Sequence, residues 1–301
     1  MDASKQLIVV TGPTAVGKTG LSIRLAQAIG TEIISADARQ CYKYMDIGTA
    51  KPTVSECGQV KHHLIDFLPL ENTYSAGAFA ADALGLLKKL WQGCDRVVVT
   101  GGSGLYVRAL CEGLADMPAV PRHIYGYWEG VWQEKGLGFL LQSLQKHDPS
   151  YYSQVDVHNP HRIIRALAVH EVSGKPYSYF RDQKIKKRDF EVIKIGLTLP
   201  REVLYQRIDD RVDEMVAQGL FEEARSLHPY SQLPALQTAI GYQEIFSYLE
   251  GDTTKQEAID LIKRHTRNYA KRQLTWFKKD KHTKWFAPTD LTTIKAFVNV
   301  T

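Results

Sequence analysis

Cysteine is scarce in this sequence, and long apolar runs are missing from it. The four cysteines among 301 residues, Cys41, Cys57, Cys94 and Cys111, form no Cys-x-x-Cys pair, so neither a zinc ribbon nor a disulfide framework is expected. No segment approaches the roughly 20 consecutive apolar residues that cross a bilayer. Residues 1–6 also lack the basic region and apolar core of a secretory signal. These absences favour a cytoplasmic protein with reduced thiols and no membrane association.

A strong charge of either sign is also missing. The formal net charge is +5, and 24% of the residues are charged, which is ordinary for a globular enzyme. The basic residues are nevertheless concentrated in the second half of the chain, in Arg162–Arg165, Lys184–Arg188 and Arg264–Lys281. This distribution keeps a phosphate-rich macromolecule as a candidate partner.

A glycine-rich stretch follows the first apolar run. Residues 12–19 match the phosphate-binding pattern G-x-x-x-x-G-K-[ST], between a β-branched run that predicts a buried strand and a helical spacing of Leu21 and Leu25. In that context backbone N–H groups and a helix N-terminus attract a phosphate, Lys18 adds a mobile charge, and Thr19 offers a hydroxyl to Mg²⁺. The motif leaves open whether the ligand is ATP or another diphosphate. The predicted diphosphate-binding residues are Gly12, Pro13, Thr14, Ala15, Val16, Gly17, Lys18 and Thr19.

Strand-like and helix-like segments alternate through most of the chain. This alternation predicts an α/β fold, a P-loop NTPase-like parallel sheet flanked by helices. Strand-like runs disappear between residues 116 and 187, which predicts an inserted all-helical subdomain. The predicted core domain comprises residues 1–115 and 188–301, with C-terminal helices, and the predicted insertion comprises residues 116–187. The strand-like runs are Leu7–Thr11, Glu32–Asp37, His63–Phe67, Arg96–Thr100 and Phe190–Leu199.

Two polar groups follow predicted central strands. Asp37 ends the second strand, and Ser103 follows Gly101 and Gly102 after the strand that begins at Arg96. Ligands of open α/β sheets bind outside the carboxyl ends of the strands, so both side chains are expected near the P-loop. A plain turn aspartate and a plain strand–helix turn are the alternatives that these residues alone leave open.

The segment after Asp37 carries a more specific pattern. The P-loop is followed by Asp-x-x-Gln-x-Tyr-Lys-x-Met-Asp-Ile-Gly-Thr-Ala-Lys-Pro, and the chain later contains Ile-Gly-Tyr-x-Glu and Thr-Arg-x-x-Ala-Lys-Arg-Gln-x-Thr-Trp. Together these stretches, which run from Gly12 to Phe277, resemble the tRNA dimethylallyltransferases (tRNA isopentenyltransferases). The family transfers a dimethylallyl group from its diphosphate to N6 of the adenosine 3′-adjacent to the anticodon. Ala38 stands where the family commonly has serine.

The resemblance implies roles for individual residues. Asp37 is expected to be the general base, with Ser103 beside the transferred group and Arg211 on the diphosphate. Arg211 is preferred over Arg207 on the amphipathic helix that begins near Leu204, although pairing with acidic neighbours on that helix is the alternative. Mg²⁺ is the expected cofactor, with Thr19 as its protein ligand.

The resemblance also implies two tRNA-binding segments. We expect a monomer that holds the anticodon stem-loop of tRNA between the helical insertion and the late basic helix. The alternative explanation is that these basic side chains only face water on the surfaces of their helices and bind no RNA. The expected tRNA-binding residues are Asp37, Ala38, Arg39, Gln40, His161, Arg162, Ile163, Ile164, Arg165, Gly241, Tyr242, Arg267, Lys271, Arg272 and Gln273.

Two other functional classes share parts of this pattern. A small-molecule P-loop kinase would have the same P-loop and strand-end aspartate, but it does not account for the Asp-Ile-Gly-Thr-Ala-Lys-Pro segment or the late basic helix. A non-catalytic, nucleotide-gated RNA-binding protein would not need Asp37 and Ser103 beside the P-loop. The substrates that the resemblance implies are dimethylallyl diphosphate and tRNA.

Overall fold

The structure is a computed structural model, and it describes residues 5–183 and 187–300. Most of the N-terminal segment in which no secretory signal was found therefore lies outside the described residues. The same holds for Lys184, Ile185 and Lys186, which belong to one of the three basic segments.

A six-stranded parallel sheet forms the centre of the larger part of the described chain, with the strand order β3-β2-β4-β1-β5-β6. β1 is the inner strand that leads to the P-loop, and its Leu7 aligns with Val97 of β4 and Val192 of β5. Apolar residues on both faces of the central strands are buried because helices cover both faces. The predicted P-loop NTPase-like α/β fold is confirmed. The strands are β1 Gln6–Thr11, β2 Ile33–Ser35, β3 His62–His63, β4 Arg96–Gly101, β5 Glu191–Leu197 and β6 Lys284–Phe286.

Helices connect the strands and extend the chain beyond the sheet. Local signals define their ends: Ser75 accepts a hydrogen bond from the backbone N–H of Ala78 at the start of α3, and Gly30 ends α1 with a φ of 75°. A 3₁₀ turn, His228–Tyr230, follows α10. In this part of the chain the helices are α1 Lys18–Ile29, α2 Val54–Gln59, α3 Ala76–Leu90, α4 Gly104–Cys111, α9 Arg201–Ala217, α10 Leu220–Leu227, α11 Pro234–Gln237, α12 Tyr242–Leu249, α13 Lys255–Phe277 and α14 Leu291–Phe297.

The chain divides into two units. The smaller, helical unit is Gly113–Lys187, and the rest of the described chain forms the larger unit. The described residues of the helical unit contain only helices: α5 Arg122–His147, α6 Pro149–Tyr152, α7 Pro160–Ser173 and α8 Tyr177–Arg181. They enclose a hydrophobic core of their own, in which Leu140, Ile163 and Leu167 are buried. At the start of α7, Asn159 accepts a hydrogen bond from the backbone N–H of Arg162, as expected for a helix that begins with Asn-Pro.

The structure differs from the sequence-based expectation at two edge strands. The strand predicted over His63–Phe67 is only two residues long, because Leu64 and Asp66 adopt positive φ values of 59° and 53° that end the extended run. β6 was not predicted, since three residues next to β5 carry too little pattern to be recognised. Among the described residues no helix combines the length and apolarity needed to cross a membrane.

Candidate active site

A cavity of about 740 Å³ lies in the larger unit and is lined by the ends of several elements. Its wall is formed by the P-loop, the segments that follow β2 and β4, one face of α9 and one face of α13. The carboxyl ends of the parallel strands meet there, as the fold predicts. The predicted site residues that line this cavity are Thr14, Ala15, Gly17, Lys18, Thr19, Asp37, Ala38, Arg39, Gln40, Ser103, Arg211, Gly241, Tyr242, Arg272 and Gln273.

Backbone carbonyl groups of the P-loop hold the side chain of Lys18. Lys18 donates hydrogen bonds from Nζ to the carbonyl oxygens of Gly12 and Pro13, at 3.0 Å and 2.7 Å. Gly17 has a φ of 102°, a conformation that favours glycine, and it precedes the first residue of α1. Val16 is fully buried and packs into the sheet core. These contacts hold the loop in place at the N-terminus of α1, where the helix dipole attracts an anion.

Lys18 and Arg211 are two partly buried cationic residues that line the same cavity. The pKa of Lys18 is lowered to about 7, first by burial and next by the Arg211 guanidinium, while Asp37 acts in the opposite direction. Burial also lowers the pKa of Arg211, and the Asp37 carboxylate opposes this effect. Arg211 projects from α9 to the P-loop, with Nη1 at 3.4 Å from Thr14 Oγ1. The predicted alternative, an ion pair with an acidic neighbour on the same helix, is not formed among the described residues.

Asp37 follows β2 and forms a turn with one of its carboxylate oxygens. Oδ1 accepts hydrogen bonds from the backbone N–H groups of Arg39 and Gln40, at 2.9 Å and 3.3 Å. Oδ2 accepts no hydrogen bond from the described residues, and Asp37 lines the cavity. Asp37 is therefore both a turn aspartate and a carboxylate with one oxygen open to a ligand.

Ser103 connects the segments that follow β2 and β4. Its Oγ accepts a hydrogen bond from the backbone N–H of Ala38 at 2.9 Å, and its own N–H donates to Ala36 O at 3.3 Å. A Cβ at Gly101 would lie 2.1 Å from Ala36 O, so only glycine fits between these two segments. The close approach explains why β4 ends in glycine, and it fixes Ser103 beside the Asp37 turn.

Arg39 and Gln40 are both engaged within the protein. Arg39 donates from its guanidinium to Ala235 O at 2.9 Å and also to the Thr238 hydroxyl. Gln40 Nε2 donates to Thr49 O and Ala50 O at 3.2 Å and 3.0 Å. These contacts place the two side chains as supports of the cavity wall.

Gln273 joins three elements of the site. Its Oε1 accepts from the backbone N–H of Thr14 at 2.9 Å, and its Nε2 donates to Gly102 O at 2.9 Å. The side chain is buried, and a Cβ at Gly102 would lie 2.3 Å from its Nε2. Gln273, expected to bind tRNA, therefore already holds the P-loop and the segment after β4 against α13.

The other expected residues on α13 differ in their surroundings. Lys271 and Arg272 are exposed, whereas Arg267 forms an ion pair with Asp209 of α9. Thr266 and Tyr269, which the sequence reasoning missed, line the cavity beside the expected Arg272 and Gln273. Burial, and next Asp37, raises the pKa of Tyr269 to about 12. The spacing of three to four residues between Thr266, Tyr269, Arg272 and Gln273 was the available signal for this face.

Tyr242 is fully buried, although the resemblance placed it on tRNA. Its hydroxyl donates to Glu223 Oε1 at 2.7 Å. The neighbouring Gly241 has a φ of 98°, and its N–H donates to Glu244 Oε2 at 2.7 Å. Both residues shape the cavity wall, and the tyrosine side chain has no exposed surface to offer RNA.

The basic turn of α7 lies in the helical unit. His161 and Arg162 are exposed, whereas Ile163 and Ile164 are buried in the core of that unit. Arg165 is half-buried, stacks on the Tyr125 ring at 5.6 Å from its centroid, and donates to the Tyr125 hydroxyl. Of the five expected tRNA contacts on this turn, the two isoleucines therefore serve the core.

Thr19 lines the cavity and carries the hydroxyl that would bind Mg²⁺. No group of three or more His, Cys, Asp or Glu side chains in the described ranges would hold a metal ion alone. Mg²⁺ binds few protein oxygens and completes its shell with water and substrate phosphates. A single threonine hydroxyl therefore fits a metal ion that enters with a diphosphate.

Comparison with known proteins identifies the family to which this chain belongs. A model of the IPP transferase family matches residues 40–280. The tRNA dimethylallyltransferase of Christiangramia forsetii is 48% identical over 283 residues, which cover 94% of this chain and 93% of that protein. The tRNA dimethylallyltransferase 1 of Phocaeicola vulgatus is 44% identical over 293 residues, which cover 97% of both chains.

Solved structures agree with the sequence relatives. The tRNA isopentenylpyrophosphate transferase of Bacillus halodurans is similar with a TM-score of 0.71 at 37% identity, over 98% of this chain and 96% of that one. A eukaryotic dimethylallyltransferase crystallised in the act of modifying tRNA is similar with a TM-score of 0.80 at 28% identity, over 98% of this chain and 77% of that one. With this fold, this cavity and these relatives, the chain belongs to the IPP transferase family.

Proposed function

We propose that this protein transfers a dimethylallyl group from dimethylallyl diphosphate to N6 of the adenosine 3′-adjacent to the anticodon of tRNA. The observation that carries the proposal is the meeting of two kinds of group in one cavity. Lys18 and Arg211 supply positive charge for a diphosphate, and the open carboxylate oxygen of Asp37 lines the same space. Membership of the IPP transferase family supports the choice of reaction.

Asp37 acts on the nucleophile. An exocyclic adenine amine is weakly nucleophilic because its lone pair is delocalised into the ring, so a base assists by removing a proton. As N6 bonds to the allylic carbon, the N6 proton passes to Oδ2 of Asp37, the oxygen that accepts no hydrogen bond from the described residues. Oδ1 stays in the turn with Arg39 and Gln40, which keeps the carboxylate oriented.

The P-loop and α9 act on the leaving group. The bond between the allylic carbon and the diphosphate oxygen breaks, and the diphosphate leaves with the electron pair. Lys18, Arg211 and the P-loop N–H groups stabilise the charge that develops on that oxygen. Mg²⁺ held by Thr19 would supply further positive charge to the diphosphate when it is bound. Burial and Arg211 lower the pKa of Lys18 to about 7, and the negative charge of a bound diphosphate would raise it and favour the charged form.

The cavity is also suited to an allylic group. Val212, Met215 and Leu220 contribute apolar surface, together with Ile240. An allylic carbon becomes partly cationic as the diphosphate leaves, so water must be kept from it. Ser103 uses its oxygen to accept from Ala38, which leaves its hydroxyl hydrogen free to donate to a group in the cavity.

We further propose that the macromolecular substrate is the anticodon stem-loop of tRNA. A base that reacts inside such a cavity must leave its stack, and loop nucleotides do so at the lowest cost. Exposed Arg162, Lys271 and Arg272 offer phosphate contacts, with Arg165 as a half-buried fourth. We infer a cytoplasmic monomer, the state in which these basic residues are available to RNA.

A small-molecule kinase is the main competing function, and one experiment separates the classes. The protein is incubated with dimethylallyl diphosphate labelled in its prenyl group, or with γ-labelled ATP, each with and without tRNA. We expect label on tRNA from the prenyl donor only. Transfer of the ATP γ-phosphate to a small acceptor would favour the kinase, and binding without transfer from either donor would favour a nucleotide-gated RNA-binding protein.

A further inference from the structure

Glu223 binds a loop that the mechanism above does not use. Its carboxylate accepts hydrogen bonds from three consecutive backbone N–H groups, those of Asp46, Ile47 and Gly48, at 3.0, 2.8 and 2.9 Å. The Tyr242 hydroxyl donates to the same carboxylate at 2.7 Å. One side chain of α10 thus satisfies four donors from two other segments, and charge-assisted hydrogen bonds of this kind are the stronger ones in proteins.

The loop fits closely against the buried tyrosine. A Cβ at Gly48 would lie 2.6 Å from the Tyr242 ring, so the backbone can approach only because residue 48 is glycine. Lys51 adds a second attachment, since its Nζ pairs with Asp46 and Asp66 at 2.5 Å and 2.7 Å. These contacts give a physical reason for Asp46, Gly48 and Lys51 in the Asp-Ile-Gly-Thr-Ala-Lys stretch, because each of them helps to fix the loop.

The fixed loop is connected to the proposed base. Gln40 donates from Nε2 to the carbonyl oxygens of Thr49 and Ala50, the next residues of the same loop. The backbone N–H of Gln40 donates to Oδ1 of Asp37 at 3.3 Å. Hydrogen bonds joined by short covalent segments of the loop and of Gln40 therefore connect Glu223 to the carboxylate of Asp37.

We propose that Glu223 is a positioning residue, which fixes the loop of residues 46–50 and through it the orientation of Asp37 in the cavity. The proposal rests on the proposed function, because it concerns how the base of that reaction is held. It predicts an effect on the chemical step and none on the diphosphate site, since neither Glu223 nor its hydrogen-bond partners belong to the P-loop or contact Lys18.

The test compares Glu223→Gln with Glu222→Gln, an exposed neighbour on the same helix. In Glu223→Gln an amide NH₂ replaces one acceptor and faces donors, so the loop loses its anchor. With saturating donor and tRNA we expect the single-turnover rate to fall about tenfold to a hundredfold, the size of effect that a misplaced catalytic group produces. Donor affinity should stay unchanged, and hydrogen exchange at the amides of residues 46–48 should become faster. Glu222→Gln should match the wild type in all three measurements.

Tyr242→Phe provides a second variant in case Glu223→Gln does not fold. It removes one of the four hydrogen bonds and keeps the ring that packs on Gly48, so a smaller drop in rate is expected with the same unchanged donor affinity. A lowered melting temperature with a wild-type rate per folded molecule in both variants would overturn the proposal. Failure of the proposed function would be distinct, because the wild-type protein itself would then transfer no prenyl group to tRNA.

Discussion

At the scale of single residues, Lys18 has a strongly perturbed pKa. Its ammonium is buried next to Arg211, which lowers its pKa to about 7 from an ordinary value of 10.5. The unfolded state therefore binds more protons than the folded state between about pH 7 and pH 10.5. In the donor-free protein Lys18 is destabilising below pH 7, and this cost is relieved as the pH rises through that window.

Lys18→Met tests this assignment in two ways. Removing the buried charge should raise the melting temperature of the donor-free protein at pH 6, and the gain should shrink as the pH approaches 10. The same change should weaken donor binding about tenfold to a hundredfold, because a hydrogen bond to a charged group contributes about 1.5–3 kcal/mol.

Thermal melts across pH and donor titration calorimetry make the two Lys18→Met measurements. Lys43→Met, at an exposed lysine outside the cavity, should change neither quantity. Unchanged donor affinity in Lys18→Met would remove the P-loop from the donor site.

Gly101 tests the close approach between the segments after β2 and β4. A Cβ there would meet Ala36 O at 2.1 Å, and neither can move away, because the backbone fixes the position of the Cβ and Ala36 O is itself a backbone atom. Gly101→Ala should lower the free energy of unfolding by about 1–3 kcal/mol or more, as overpacking does. Gly85→Ala, on the exposed side of α3 with nothing near its Cβ, should instead raise it by about 0.5–1 kcal/mol. Urea denaturation measures both changes, and equal stability of the two variants would contradict the packing.

Residues that follow a recognisable strand were predictable from local pattern, whereas the supporting contacts of residues on distant helices were not. The P-loop and Asp37 follow strands that the local pattern reveals. Glu223 holds a loop 175 positions away, and Gln273 holds a P-loop amide 259 positions away. Their sequence surroundings are those of ordinary helices, so only the fold shows that these side chains support the site.

At the scale of elements, the central strands and the longer helices were predictable because apolar and polar residues repeat with a clear period. β3 and β6 were not, since strands of two or three residues are determined by neighbours in the sheet. The basic helix α13 shows a similar limit. The spacing of the residues indicated which charges of α13 are exposed. Whether the face with Tyr269 and Gln273 lines a cavity is decided by the elements that pack beside the helix.

The basic residues of α7 and α13 yield a prediction about RNA binding. Arg165→Ala and Lys271→Ala, made singly, should each weaken tRNA binding and reduce the slope of log affinity against log salt by about one phosphate contact. Lys271 is exposed, and Arg165 keeps part of its guanidinium accessible beside Tyr125. Donor affinity should not change, because neither residue lines the cavity.

Filter binding across a salt series measures the RNA effect. Lys255→Ala, at the opposite end of α13, serves as the control and should leave the slope unchanged. If Arg165→Ala and Lys271→Ala behave like this control, the charges only solvate their helices, and tRNA is held by other residues.

At the scale of the whole molecule, the protein has two units with separate hydrophobic cores. The larger unit contains the parallel sheet and every residue that lines the cavity, and the helical unit carries the basic turn of α7. The sequence predicts a core over residues 1–115 and 188–301 and a helical insertion over 116–187, because strand-like runs stop and resume along the chain. Under the proposed function, the larger unit carries the chemistry and the basic turn of the helical unit contacts RNA.

The most direct test of the account is nucleoside mass spectrometry of tRNA after a single turnover with dimethylallyl diphosphate. The wild-type protein should convert one adenosine, 3′-adjacent to the anticodon, to N6-dimethylallyladenosine. Asp37→Asn should bind donor and tRNA normally but form this nucleoside about a hundredfold or more slowly, the usual contribution of a general base. A near-normal rate in Asp37→Asn, or no modified adenosine with the wild-type protein, would contradict the central claim.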